Sequence, residues 1–186
     1  RPALTGTRSM RWLPAWPIER LRRHCGHEHV PADRPLALVR NGAHGLEIAA
    51  VNEASRALRV HIGAALADTR AALPALITLP ADASEDHAGL MRVVRWCGRY
   101  GPARHLDGED GLWIDITGVA HLFADAAVRG ANRPAGNEGR DPPDAGERAL
   151  LGDLVERFGR FGLTVRVGLA DTLGGAFARH LSTRGL

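Results

Sequence analysis

Two segments of this chain alternate apolar and polar side chains with a period of two, and they constrain its fold more than any other feature. Leu112, Ile114 and Ile116 alternate with Trp113, Asp115 and Thr117, and Leu163, Val165, Val167 and Leu169 repeat the pattern fifty residues later. Such alternation turns one face of a strand to a core and leaves the other half exposed. Just before the second segment, Leu150, Leu151, Leu154, Val155, Phe158 and Phe161 recur at helical spacing, so a helix feeds that strand.

The rest of the chain reads as further strands and helices. Residues 9–13 form a short strand, and the Pro14 to Pro17 stretch opens an Arg-rich helix through Ile18 and Leu21. Pro35–Val39 and Leu46–Val51 flank the turn-rich Asn41–Gly45 and predict a hairpin. Ala64–Leu73 is helical by composition, Ile77–Leu79 is a short strand, and a helix over about 84–99 follows. From Arg129 to Gly146 the chain is Gly, Pro, Asn, Asp and Arg with hardly an apolar side chain, which predicts a mobile surface loop. Strands and helices in this order, with hairpins, predict an α+β sheet covered by helices mainly on one face.

All 24 basic residues are Arg, for a net charge of +3 and a sequence pI near 9.6. The absence of lysine excludes P-loop, Schiff-base and nucleotidyl-lysine chemistry, each of which needs the ammonium or the amine. An Arg-only basic surface is compatible with nucleic acid, and it equally fits the codon bias of a GC-rich genome. Cys25 and Cys97 stand alone, which implies neither a disulfide framework nor a zinc ribbon and fits a reducing cytoplasm. No apolar run approaches the roughly 18 residues of a membrane span.

His24, His27, Glu28 and His29 resemble a metal cluster but lack a second ligand pair at finger spacing, and read better as a solvated loop. Asp107, Glu109, Asp110 and Asp115 could hold a magnesium ion, or Glu109 and Asp110 could be turn residues before a strand. Arg20, Arg22, Arg23, Arg92, Arg95 and Arg99 could bind phosphate, although on helices such charges usually form the wet face. Trp12, Trp16, Trp96 and Trp113 fit packing better than base stacking.

Three segments resemble the Y-family (DinB-like) translesion DNA polymerases in order and spacing. Asn52-Glu53-Ala54-Ser55-Arg56 through Gly63, running on to Leu79-Pro80, is similar to the fingers motif N-Y-x-A-R-x-x-G-V-x-x-G-M. There Arg56 matches the family's triphosphate Arg, and Glu53 replaces its Tyr with a carboxylate that repels a triphosphate. Asp110-Gly111-Leu112-Trp113-Ile114-Asp115-Ile116-Thr117 resembles the catalytic S-x-D-E-A-[YF]-x-D-[VIL]-T motif. Asp110 is retained, Gly111 stands in place of the catalytic Glu, and Gly108 in place of Ser. Thr164–Arg179 resembles S-x-G-I-A-x-N-K-x-L-A-K, with Asp171 for its Asn and Thr172 for its triphosphate Lys. The first strand, Arg11-Trp12-Leu13-Pro14, carries no acid where active members place a metal-binding Asp. Residues 12–21 and 111–123 resemble the ImuB branch in particular.

The resemblance implies a Y-family palm on a ferredoxin-like mixed sheet with helices on one face, plus a small fingers subdomain. Divided accordingly, residues 1–34 hold the first palm strand and Arg-rich helix, 35–80 a fingers-like subdomain, and 81–169 the palm with its loop at 129–146. Residues 170–186 begin a thumb helix, so the thumb, little finger and clamp-binding tail are expected to be absent from this chain. It also implies a non-catalytic adaptor in DNA-damage-induced (SOS) mutagenesis and translesion synthesis. No cofactor is expected, with magnesium required only if the chain is active, and Asp110 and Asp115 are then the candidate ligands. The implied partners are a RecA-like accessory protein, an error-prone replicative-type polymerase subunit and the sliding clamp, with DNA bound weakly and without sequence preference and no membrane partner. Two rival readings are an active error-prone Y-family polymerase and an unrelated Arg-rich α+β nucleic-acid-binding module.

Overall fold

A computed structural model describes residues 8–119, 122–123 and 145–170. The elements run β1 (Arg8–Trp12), α1 (Trp16–Cys25), β2 (Leu36–Gly42), β3 (Gly45–Val51), α2 (Glu53–Ala57), α3 (Leu66–Ala72), β4 (Ile77–Pro80) and α4 (Ala83–Trp96). They continue with β5 (Arg104–Asp107), β6 (Gly111–Asp115), α5 (Ala145–Arg160) and β7 (Arg166–Ala170). The chain divides into two compact units, one of Arg1–Leu13, Met91–Phe161 and Val165–Leu186, the other of Pro14–Leu90 and Gly162–Thr164.

In the first unit, β5-β6-β1-β7 form a four-stranded sheet whose pairs are all antiparallel. With a helix between β1 and β5 and another between β6 and β7, this is the ferredoxin-like β-α-β-β-α-β order. Burial on β6 is one-sided. Leu112, Ile114 and Ile116 are buried, whereas Trp113 and Asp115 are part-exposed, as the period of two requires. On α5, Leu150, Leu154 and Phe158 fall on one stripe and are fully buried, each worth about 1.5–3 kcal/mol of transfer free energy.

At the end of α4 the chain tightens into a 3-10 turn, Cys97–Arg99, that delivers Tyr100 into the core. Its hydroxyl donates to Asp153 Oδ2 at 2.8 Å, and Arg157 Nε donates to both Asp153 oxygens at 2.8 and 2.9 Å. Burial and the Asp153 carboxylate both push the Tyr100 phenol well above its ordinary value. Burial alone would raise Asp153, but the hydrogen bonds from Arg157 and Tyr100 outweigh it and hold that carboxyl below its ordinary value.

In the second unit, β2 lies between β3, antiparallel, and β4, parallel, so the mixed pairing is here and not in the larger sheet. Leu36, Ala37 and Leu38 are all buried because both faces of β2 are covered. Leu36 and Leu38 pack with Ile18 of α1, Val30 and Ala50. Ala37 packs with Ile48, Val51, Val60, Leu66 of α3 and Leu76. Helices mainly on one face therefore describes the larger sheet only. The packing of Ile18 also places α1 in this unit, although the sequence grouped it with the first strand, and the unit runs to Leu90 rather than ending at residue 80.

Asn52 ties the second unit together while only 4% exposed. Its Oδ1 accepts from Ser55 N at 2.9 Å, capping α2, and from Leu36 N at 3.1 Å, while Nδ2 donates to Arg34 O at 2.7 Å. Buried Ser55 adds an Oγ–H bond to Leu36 O at 3.0 Å. Glu19, also buried, accepts from Thr164 N at 2.8 Å and so holds the short return segment against α1.

Boundaries shift where local signals compete. The alternating stretch 163–169 becomes a strand only from Arg166, and α5 begins at Ala145, inside the stretch expected to be a loop. Residues 129–144 and the expected thumb helix beyond residue 170 lie outside the described residues. β5 and α2 have no counterpart in the sequence reading, since Arg-His-Leu-Asp offers a single apolar side chain and α2 has only 5 residues.

Asn52→Ala should lower unfolding stability by roughly 2–4 kcal/mol in urea titration, because Leu36 N would be left buried without its partner and α2 would lose its cap. A second expectation concerns alkali. A phenol raised on folding contributes stability that is complete below the unfolded value near 10 and lost as pH rises through the folded value. Tyr100 is the chain's one tyrosine and no lysine titrates beside it, so absorbance at about 295 nm reports it alone. Tyrosinate should appear only together with unfolding, and Tyr100→Phe should flatten the fall in stability above about pH 10.

Candidate functional site

The end of β1 meets the start of β6. In register, Trp12 stands opposite Gly111 on one side and opposite Arg166 of β7 on the other, and Leu13 N donates to Asp110 O at 2.8 Å. Three of the positions singled out from sequence, Trp12, Asp110 and Gly111, are thus cross-strand neighbours. Thr172 and Asp171 lie outside the described residues.

Asp115 does not join them. It pairs in register with Arg8 at the far end of β6, about 13 Å along the strand from Gly111, and its Oδ1 accepts from Thr117 N at 3.0 Å. Asp107 accepts from Trp113 Nε1 at 3.0 Å, and Glu109 and Asp110 lie in the turn between β5 and β6 with Gly108, whose φ is +66°. Among the described residues no three His, Cys, Asp or Glu side chains come together as a metal-binding group. A pair of divalent cations needs several converging carboxylates.

Gly111 has a steric reason as well as a chemical consequence. A Cβ built there would stand 2.5 Å from Asp107 O and 3.2 Å from Asp107 Cβ, because Asp107 and Gly111 close the β5–β6 hairpin as a pair. Backbone cannot yield to that approach as cheaply as a flexible side chain can, so any side chain there, a carboxylate included, requires the hairpin to shift.

The second cluster sits on α2. Arg56 Nη2 donates to Pro14 O at 2.8 Å, and Nη1 lies 3.5 Å from the carboxylate of Glu53, which is 86% exposed. The guanidinium is thus engaged by a backbone carbonyl and an anion of its own helix turn. Arg59 occupies the position of the motif's first Gly with a φ of +60°, in the left-handed region that costs a non-Gly residue about 1–2 kcal/mol. Asn52 and Ser55, whose roles the sequence reading did not assign, carry the scaffold; an Asn before a helical turn is the signal that was there to find.

Other candidates have structural roles. Arg20 pairs with Asp86 at 2.5 Å, Arg22 donates to Val30 O at 2.7 Å, and Trp16 is buried with its Nε1–H on Asp86 O. His24 is exposed in the last turn of α1, and His27 and His29 are exposed after it, where His29 Nδ1 lies 3.0 Å from Cys25 O. No described helix is long and apolar enough to cross a membrane.

The impB/mucB/samB family model matches residues 22–176. The chain belongs to the impB/mucB/samB family. Within that family it is 38% identical over 116 residues to Protein ImuB of Caulobacter vibrioides, in two strains, covering 62% of this chain and 21% of the relative. It therefore spans about a fifth of the length of these curated relatives. Its fold is shared with DinB from Sulfolobus solfataricus, at a TM-score of 0.61 and 15% identity over 88% of this chain and 42% of that one. The insertion ternary complex of Dbh DNA polymerase gives 0.69 and 13%, over 96% and 46%. The impB/mucB/samB assignment and these Y-family neighbours fit the α+β architecture described above.

Gly111→Ala and Gly111→Glu should destabilise the family domain to a similar degree, about 1–3 kcal/mol by thermal or urea melting, since both place the same Cβ against Asp107 O. A harmless Gly111→Glu would show that the hairpin readily opens to admit a carboxylate.

Proposed function

We propose that this chain is the palm and fingers portion of an ImuB-type protein that serves as a non-catalytic adaptor in DNA-damage-induced (SOS) mutagenesis and translesion synthesis. The observation that carries the reading is the register at the end of β1, where Trp12 stands between Gly111 and Arg166 with Asp110 beside them. A tryptophan, a glycine and a cation there supply no metal ligands, and a lone carboxylate cannot hold the two metals that align a primer hydroxyl with a triphosphate. On α2, Glu53 beside Arg56 supports the same reading, since an incoming triphosphate would have to displace an anion already paired with the arginine.

In this reading the unit built on β5-β6-β1-β7 is the palm and the unit built on β3-β2-β4 is the fingers. Neither needs a cofactor. The partners are a RecA-like accessory protein, an error-prone replicative-type polymerase subunit and, through a region beyond this chain, the sliding clamp. DNA contact is weak and phosphate-driven, as the arginine content and the modest net charge of +3 together support.

The full-length protein should fail to extend a primer with either Mg²⁺ or Mn²⁺ in a gel assay that an active Y-family polymerase passes. Extension that Asp110→Ala abolishes would overturn the adaptor reading and restore the enzyme.

A further inference from the structure

The outer surface of α4 and α5, away from every motif position, carries a basic strip floored by aromatic rings. Arg92 and Arg95 are exposed about one turn apart on α4, and exposed Arg99 follows in the 3-10 turn after Trp96. Half-buried Trp96 meets Phe158 at 5.5 Å and Phe161 at 5.3 Å between ring centroids, both T-shaped, and the Arg99 guanidinium lies 4.3 Å from the Trp96 ring centre. Phe161 remains 42% exposed. Arg157 and Arg160 of α5 add two more guanidinium groups, paired in their own helix with Asp153 and Glu156. Arg95 and Arg99 have no ion-pair partner among the described residues, which leaves the strip positive charge of its own.

We propose that this strip docks an acidic segment of a partner protein that carries an aromatic or branched aliphatic anchor. Charge selects an anionic occupant, and the exposed edge of Phe161 selects one with an apolar side chain to bury. The three arginines span roughly 10 Å, which matches the i, i+4, i+7 spacing of a helical peptide. The i, i+4 pairs of Arg157 and Arg160 are exposed and weak, so incoming carboxylates exchange with them readily. A single-stranded nucleic acid is a poorer fit, because base stacking needs an open ring face and Trp96 already carries a guanidinium and two phenyl rings. The inference is independent of whether the chain polymerises, and concerns a surface that no family motif touches.

The test is fluorescence anisotropy on the full chain with a labelled peptide of about twelve residues, rich in Asp and Glu and holding two Phe. The same peptide with Asn and Gln for its acids, and an unlabelled single-stranded oligonucleotide, serve as comparators. The acidic peptide should bind in a salt-dependent way and lose at least about tenfold in affinity to Arg95→Glu/Arg99→Glu, with a smaller loss in Arg95→Gln/Arg99→Gln. Both pairs lose the same Arg99 contact with Trp96, so a larger loss in the Glu pair than in the Gln pair at similar melting temperatures reports charge rather than packing. Equal binding of the amide peptide, or indifference to charge reversal, overturns the proposal. So does an oligonucleotide that binds the strip more tightly than the peptide and loses that binding in the charge-reversed variant.

Discussion

The antiparallel seat of β1 between β6 and β7 is the constraint on which the rest of the first unit depends. Once Ser9 pairs with Ile114 and Leu169, the register fixes every later pair, down to Trp12 between Gly111 and Arg166. A slip of one residue would turn the buried Leu112, Ile114 and Ile116 out of the core, so the hydrophobic pattern of β6 holds the register by a cost no surface contact could match. The composition of the candidate site follows from this register, because it decides which side chains stand together at the end of the sheet.

Within that register the β5–β6 hairpin settles what Gly111 can be. Its pairing with Asp107 brings the two backbones so close that a Cβ at Gly111 would force the hairpin to shift. On α2 the change is electrostatic instead. Glu53 supplies from inside the chain the negative charge that a triphosphate would bring, and Pro14 O takes a further hydrogen bond from Arg56. One position is altered sterically and the other by charge, and both leave the family's fold intact because Asn52, Ser55 and Glu19 do the structural work nearby.

The Tyr100–Asp153–Arg157 chain, buried at the phenol and open to solvent at the guanidinium, links the end of α4 to α5. Removing either the phenol or the guanidinium would leave the Asp153 charge short of the donors that keep it ionised at partial burial. The same pair of helices sets the arginines of α4 beside the aromatic floor formed with α5.

By itself the sequence determined the class of fold, the alternating strand at 112–116 and the α4 and α5 stripes, because hydrophobic period and residue chemistry are local quantities. Glu53, Gly111 and Trp12 were legible as substitutions without any coordinates. Tertiary structure alone decided that Asp115 lies too far from Asp110 to share a ligand, that β5 exists, and that α1 packs with the smaller sheet through Ile18. It also decided that mixed pairing belongs to β2 and β4 while the larger sheet is wholly antiparallel. These are matters of which distant segments meet, and a strand such as Arg104–Asp107, with one apolar side chain, is made a strand by the backbone hydrogen bonds of its neighbour rather than by its own residues.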